Sequence, residues 1–185
     1  IRKENSVLKY FEELKKSMEY LASKKDTIFI GQAVAFPGTA MSSTLKNIDK
    51  KKLLELPVFE DCQMGIALGL SLNNFVPISI FPRWNFLLLA MNQIVNHMDK
   101  LQYMTSQKFK NKVIIRTGIG SVRPLDPQHQ HKGDFTLGMR KFLKNTDVIK
   151  LRNSKDILEA YKFAYNRKDN KHTILVEFGD YYNEK

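Results

Sequence analysis

Six short runs of this chain, 27–30, 53–56, 76–81, 113–116, 148–151 and 172–177, are apolar at nearly every position instead of at every second one. A strand with one wet face alternates apolar with polar residues, and a strand buried on both faces does not. No hairpin turn joins one run to the next, and most are separated by stretches with helical periodicity. The pattern predicts one α/β domain with a mostly parallel central sheet and helices on both faces.

The helical stretches have their own marks. Val7, Phe11, Leu14, Met18 and Leu21 form an amphipathic stripe. Helices are expected over 60–72, with Met64, Ala67, Leu68 and Leu72 on one side, and over 85–101 and 137–143. A helix capped by Ser154 is expected to run to residue 166. Gly65 and Gly69 suggest close approach of another element, because alanine would favour the helix by about 1 kcal/mol at each.

Composition sets the outer bounds. At 185 residues the chain can bury roughly 70% of its unfolded surface and needs no staple. Its single cysteine, Cys62, excludes an intrachain disulfide, is read as structural, and points to a reducing compartment, the cytoplasm. The longest unbroken apolar run, 86–91, is far short of the roughly 20 residues that span a bilayer, so no membrane partner is expected. The net charge of +11 would suit an acidic partner, but the cations are mostly scattered lysines. Nucleic-acid readers more often group arginines with aromatics, so the charge alone gives a nucleic-acid-binding module little support.

In a parallel sheet, ligands meet the loops at the carboxyl ends of the strands. Here these are 32–46, 57–60, 82–85 and 118–134. Gly118-Ile119-Gly120 lacks the third glycine of a dinucleotide fingerprint. His129-Gln130-His131 offers two imidazoles, but no cysteine or carboxylate pair nearby completes a metal site, and none is expected. Glu60 follows the apolar loop Leu56-Pro57-Val58-Phe59 and opens a helix. The helix dipole favours its charged form and apolar surroundings its protonated form, a balance suited to sharing a proton with a ring nitrogen. An ordinary acid in a first helical turn reads the same way.

Leu56-Pro57-Val58-Phe59-Glu60, Met64-Gly65-Ile66-Ala67-Leu68-Gly69-Leu70, Pro77-Ile78-Ser79-Ile80-Phe81, Asn85-Phe86 and Gln93-Ile94-Val95-Asn96 follow one another in a recognisable order. So do Lys100-Leu101-Gln102-Tyr103-Met104, Val113-Ile114-Ile115-Arg116 and Gln128-His129. Together they resemble the pyrimidine-binding domain of transketolase-like thiamine diphosphate enzymes, and the beta subunits of 2-oxo acid dehydrogenases in particular. The likeness implies that Glu60 hydrogen-bonds N1′ of the aminopyrimidine and promotes its imino tautomer. The tautomer's nitrogen then generates the thiazolium ylide, which attacks a 2-oxo acid or ketose. Phe86 is similar to the aromatic residue that packs on the pyrimidine, and His129 to the active-site histidine of the loop.

Gln32 and Phe59 are expected beside the cofactor too, although each departs from the family's pattern, an acid at the first position and a small residue at the second. Arg83 stands where a small residue is usual. With His131 it is a candidate for binding an anionic substrate. The Gly-Asp-Gly…Asn pattern that holds Mg²⁺ and diphosphate is not found. The resemblance therefore implies a single pyrimidine-binding domain over 1–185, without diphosphate-binding or carboxyl-terminal domains. It would belong to a split enzyme with metal ligands on a separate diphosphate-binding subunit, assembled as a heterotetramer. A non-catalytic scaffold or regulator of the same fold is the alternative.

Overall fold

The structure, a computed structural model, describes residues 9–122 and 126–183; Val7 of the first expected helix and Pro124 of the long loop lie outside the described residues. The elements are α1 (Tyr10–Ala22), β1 (Thr27–Gly31), α2 (Ala40–Ser43), β2 (Leu53–Glu55), α3 (Glu60–Leu72), β3 (Val76–Ile80) and α4 (Trp84–Leu87). They continue with α5 (Leu101–Met104), β4 (Ile114–Ile119), α6 (Thr136–Phe142), β5 (Thr146–Lys150), α7 (Ser154–Asn166) and β6 (His172–Phe178).

The six strands pair in the order β2-β1-β3-β4-β6-β5, and every pairing is parallel. Consecutive apolar residues divide between two cores because successive side chains of a strand point to opposite faces. Phe29, Ile78, Ile114 and Leu175 pack with Leu14, Met18 and Leu21 of α1 and Ile157 and Tyr161 of α7. Ile30, Ile115, Ile174 and Val176 pack with Met64 and Ala67 of α3, Met139 of α6, and the 84–98 segment. The expected sheet with helices on both faces is the one observed.

Local details differ from the sequence reading. The buried stripe of α1 begins at Tyr10, fully buried, while Phe11 is half-buried. The Tyr10 hydroxyl donates to Leu151 O at 2.7 Å and accepts from Phe178 N at 3.0 Å, which satisfies a group that burial would otherwise penalise. The expected helix over 85–101 is broken into α4, a 3₁₀ turn (Leu88–Ala90), a π-helical stretch (Gln93–Met98) and α5. Buried positions explain the break. Trp84, Leu87 and Ala90 recur at threes, the 3₁₀ period, and Ala90, Ile94 and Met98 at fours, where the winding widens.

Ser154 does not cap α7: it is the first helical residue, and Asn153 occupies the cap position without a side-chain cap bond. A Cβ on Gly65 would meet nothing nearer than Gln93 Cδ at 4.0 Å, and one on Gly69 nothing within 4 Å, so no close approach to α3 occurs there among the described residues. Cys62 is exposed on α3 and is no part of the core.

Two buried polar groups lock the sheet. Arg116 and Glu177 form an ion pair with both side chains fully buried, Nε–Oε1 at 2.5 Å and Nη2–Oε2 at 3.0 Å. Glu177 also accepts from the hydroxyls of Tyr161 and Tyr182, and Arg116 Nη1 donates to Thr44 Oγ1 at 2.8 Å. Burial, reinforced by the charge of Glu177, pushes both phenols well above the ordinary tyrosine range. In the other core, Asp99 accepts from Lys144 N, Asn145 N and Thr146 Oγ1 at 2.8–2.9 Å and so fixes the start of β5.

Candidate active site at the carboxyl ends of β1–β4

The parallel sheet brings the ends of β1, β2, β3 and β4 to one edge. β1 closes on Gly31, whose φ of +155° and lack of a side chain are both required: a Cβ there would stand 2.6 Å from Ile80 O. Beneath it, Gln63 of α3 is fully buried and donates through Nε2 to Ser79 Oγ and Ile80 O, each at 3.0 Å. Gln63 therefore ties α3 to β3 directly below the helix N-terminus.

Glu60 is the first residue of α3 and only 5% exposed. The preceding residue, Phe59, occupies the cap position and supplies no side-chain cap, so the first-turn amides face acids, Glu60 and Asp61. The one hydrogen bond to the Glu60 carboxylate among the described residues comes from Gln32 Nε2, at a long 3.4 Å. A buried carboxylate with most of its acceptor capacity unspent can take a proton donor from outside the chain. Phe59 itself is 60% exposed and, with Val58 at 75%, forms an apolar knob.

Glu55, at the end of β2, was not singled out from the sequence. Its carboxylate accepts from three successive amides, Ala33 N at 2.6 Å, Val34 N at 2.9 Å and Ala35 N at 2.7 Å. It thereby fixes the chain that follows Gln32. The available signal was an acid interrupting the apolar run Leu53-Leu54-Glu55-Leu56, beside a run of lysines. Gln63 gave less warning, because one amide on an apolar helix face has no motif.

A second group of residues comes from the α4 turn and the β4–α6 loop. The rings of Phe86 and His131 lie 5.0 Å apart with planes tilted by 35°. Arg83 Nη1 donates to Gly120 O at 3.0 Å and His131 O at 3.1 Å. Burial lowers the pKa of its guanidinium, with Asp180 and Asp126 opposing the shift. His131 Nδ1 is buried without a hydrogen-bond partner among the described residues. His129, two residues earlier on the 3₁₀ turn Gln128–His131, is exposed. The fold thus joins Gln32 to Glu60 and Arg83 to His131 and Phe86, and leaves Phe59 and His129 on the surface. Arg83 also lines a cleft of about 260 Å³ with Gly38, Thr39, Gly118, Gly179 and Tyr182, and Glu60 is not part of that lining.

Among the described residues no group of three or more His, Cys, Asp or Glu side chains is placed to hold a metal ion. No helix there is long and apolar enough to cross a membrane.

This fold, with an acid opening the helix after the second strand, matches the family model "Transketolase, pyrimidine binding domain" over residues 10–182. The chain belongs to that family. It is 29% identical over 127 residues to the pyruvate dehydrogenase E1 component subunit beta of Gracilaria tenuistipitata var. liui, a match covering 66% of this chain and 39% of that protein. The corresponding subunit of Rickettsia conorii is 29% identical over 122 residues, covering 64% of this chain and 37% of the relative. The match thus spans about two fifths of the length of these curated relatives.

Solved structures share the fold. A split-gene transketolase, described as an inactive beta4 tetramer, superposes with a TM-score of 0.71 at 16% identity over 95% of this chain and 53% of that one. Transketolase from Campylobacter jejuni gives 0.64 at 12% identity over 92% of this chain and 26% of that chain.

Proposed function

We propose that this chain is the pyrimidine-binding half of a split thiamine diphosphate enzyme acting on a 2-oxo acid or ketose, by decarboxylation or two-carbon or acyl transfer. The observation that carries the reading is Glu60, a buried carboxylate at a helix N-terminus with a single long hydrogen bond. When bound, thiamine diphosphate supplies a nucleophilic carbon and an electron sink.

The residues fit the pyrimidine end of that group. Glu60 holds and returns a proton at N1′, since its buried carboxylate spends only one long hydrogen bond among the described residues. Gln32 orients the carboxylate from the side. Phe86 offers a half-buried ring to the pyrimidine face, a stack contributing about 0.5–1.5 kcal/mol beyond area burial. Arg83 and His131 border the substrate side. The apolar knob of Val58 and Phe59 is available to a second subunit, the diphosphate-binding chain that would carry the Mg²⁺ ligands, in a heterotetramer. A reducing compartment such as the cytoplasm suits the exposed Cys62.

The test starts from the assembled complex, purified from native extract through this chain, with its partners identified by mass spectrometry. A stoichiometric partner bearing a Gly-Asp-Gly…Asn motif is expected. Glu60→Gln should lower turnover of the thiamine diphosphate-loaded complex by about 100-fold or more while assembly is unchanged. Wild-type turnover in that variant would refute the role of Glu60. A complex that assembles but never turns over a 2-oxo acid or ketose would instead make the chain a scaffold.

A further inference from the structure

Arg83 stands in the cap position of α4 with extended backbone, and its side chain makes no cap bond. Its guanidinium instead reaches two carbonyls, 37 and 48 residues further along the chain, at the two ends of one loop. Phe86, one helical turn on, donates its amide to Arg83 O at 3.2 Å. From this single turn the Arg83 head holds the main chain of His131 while the Phe86 ring meets its imidazole. His129 belongs to the same 3₁₀ turn and has neither contact.

We propose that Arg83 is a positioning residue: by tying Gly120 to His131 it sets the His131 imidazole on Phe86, so that His131, and not His129, is the imidazole offered to a bound ligand. The second half of this statement rests on the proposed thiamine diphosphate site; the first half does not. Both bonds leave one nitrogen, Nη1, so a lysine ammonium, with three donors on a shorter stem, should keep part of the tie and a methionine none of it. His131 Nδ1 is buried and unpartnered among the described residues, so the rest of the half-buried ring is the part a ligand meets.

The four histidines, 97, 129, 131 and 172, make the test direct. In ¹⁵N-labelled full chain, the His131 ring protons should lie upfield of those of exposed His129, through the ring current of Phe86, and Phe86→Leu should abolish the difference. Arg83→Met should remove most of it, and Arg83→Lys should restore only part. His172, buried in the core, reports in the same spectrum that the fold is intact. If Arg83→Met loses the His172 signals, Arg83→Lys and Arg83→Gln carry the comparison. Free thiamine should then move the His131 signals of the wild type more than those of His129, and lose that preference in Arg83→Met.

An unchanged His131 ring current in the arginine variants, with His172 intact, would overturn the positioning role. Thiamine that moves His129 more than His131 would overturn the second half. Thiamine that moves neither, with the ring current present, would also overturn the second half and leave the positioning role of Arg83 standing.

Discussion

Gln32 Nε2 stands 3.4 Å from Glu60 Oε1, joining the end of the first strand to the start of the third helix across 28 residues. At that length the bond holds little energy, and the geometry around it comes from Gly31 below and Glu55 beside it. Gln32→Ala should therefore change unfolding free energy by less than about 0.5 kcal/mol. Its effect should fall on cofactor affinity of the assembled enzyme, measured by titrating thiamine diphosphate into the complex.

Glu55→Ala removes the acceptor of three amides at once. Because Glu55 is only part-buried, water replaces some of what is lost, and a cost of about 1–3 kcal/mol is expected in urea unfolding. Hydrogen exchange at Ala33, Val34 and Ala35 should accelerate specifically. Exchange at those amides that stays at the wild-type rate would disprove the anchoring.

Gly31→Ala would place a methyl 2.6 Å from Ile80 O at a backbone angle that L-residues avoid. A loss of at least about 2 kcal/mol in unfolding free energy is expected. Gly69→Ala, which meets nothing within 4 Å inside a helix, should instead stabilise the isolated chain by up to about 1 kcal/mol.

His172 predicts the acid limit of the fold. It accepts from Val113 N through Nδ1 at 3.1 Å, which leaves Nε2–H to donate to Met98 O, also at 3.1 Å, so the ring is neutral in the native state. Burial pushes its pKa down to about 4, against the opposing charge of Asp99. Between the unfolded value of about 6.5 and that folded value, the unfolded chain binds the extra proton, so stability falls as pH drops through this window. The contribution is complete above about pH 6.5, and roughly 3 kcal/mol of it is lost by about pH 4. Urea midpoints at pH 7 and pH 4.5 should show this fall, and His172→Gln should flatten it.

The Arg116–Glu177 pair behaves differently when broken from when replaced. Arg116→Met alone leaves Glu177 buried beside two phenols and should cost about 3–5 kcal/mol. Arg116→Met combined with Glu177→Leu should recover much of that loss, a coupling that a double-mutant cycle reads directly.

Apolar runs without alternation made the parallel sheet legible, because burial of both strand faces leaves a chain no other pattern. The helix over 60–72 was equally clear, opened by an acid after an apolar loop and marked by Met64, Ala67, Leu68 and Leu72 on one side. What the sequence concealed was winding and reach. Positions 84–98 show apolar spacings of both three and four, which a reader averages into one α-helix, whereas the core resolves them into separate windings. Arg83 illustrates reach: its acceptors are main-chain carbonyls, which have no residue identity to be recognised in a sequence. Cys62 and Phe11 were misjudged by a single helical position, a rotation of about 100° that tertiary packing settles.

The all-parallel pairing also bears on how this chain reaches its fold. Ile78 pairs with Ile114, and Ile114 with Thr173, so neighbouring strands lie tens of residues apart in sequence. No two of these neighbours can meet through a tight turn, and loop-closure entropy must be met before any ladder forms. Synthesis on the ribosome delivers β6, which sits between β4 and β5, after the other five strands of this sheet. Until it arrives, β4 has a naked inner edge of consecutive isoleucines. The nascent chain is therefore exposed to aggregation until β6 emerges, and its yield in a cell should depend on chaperone supply more steeply than its final stability would indicate.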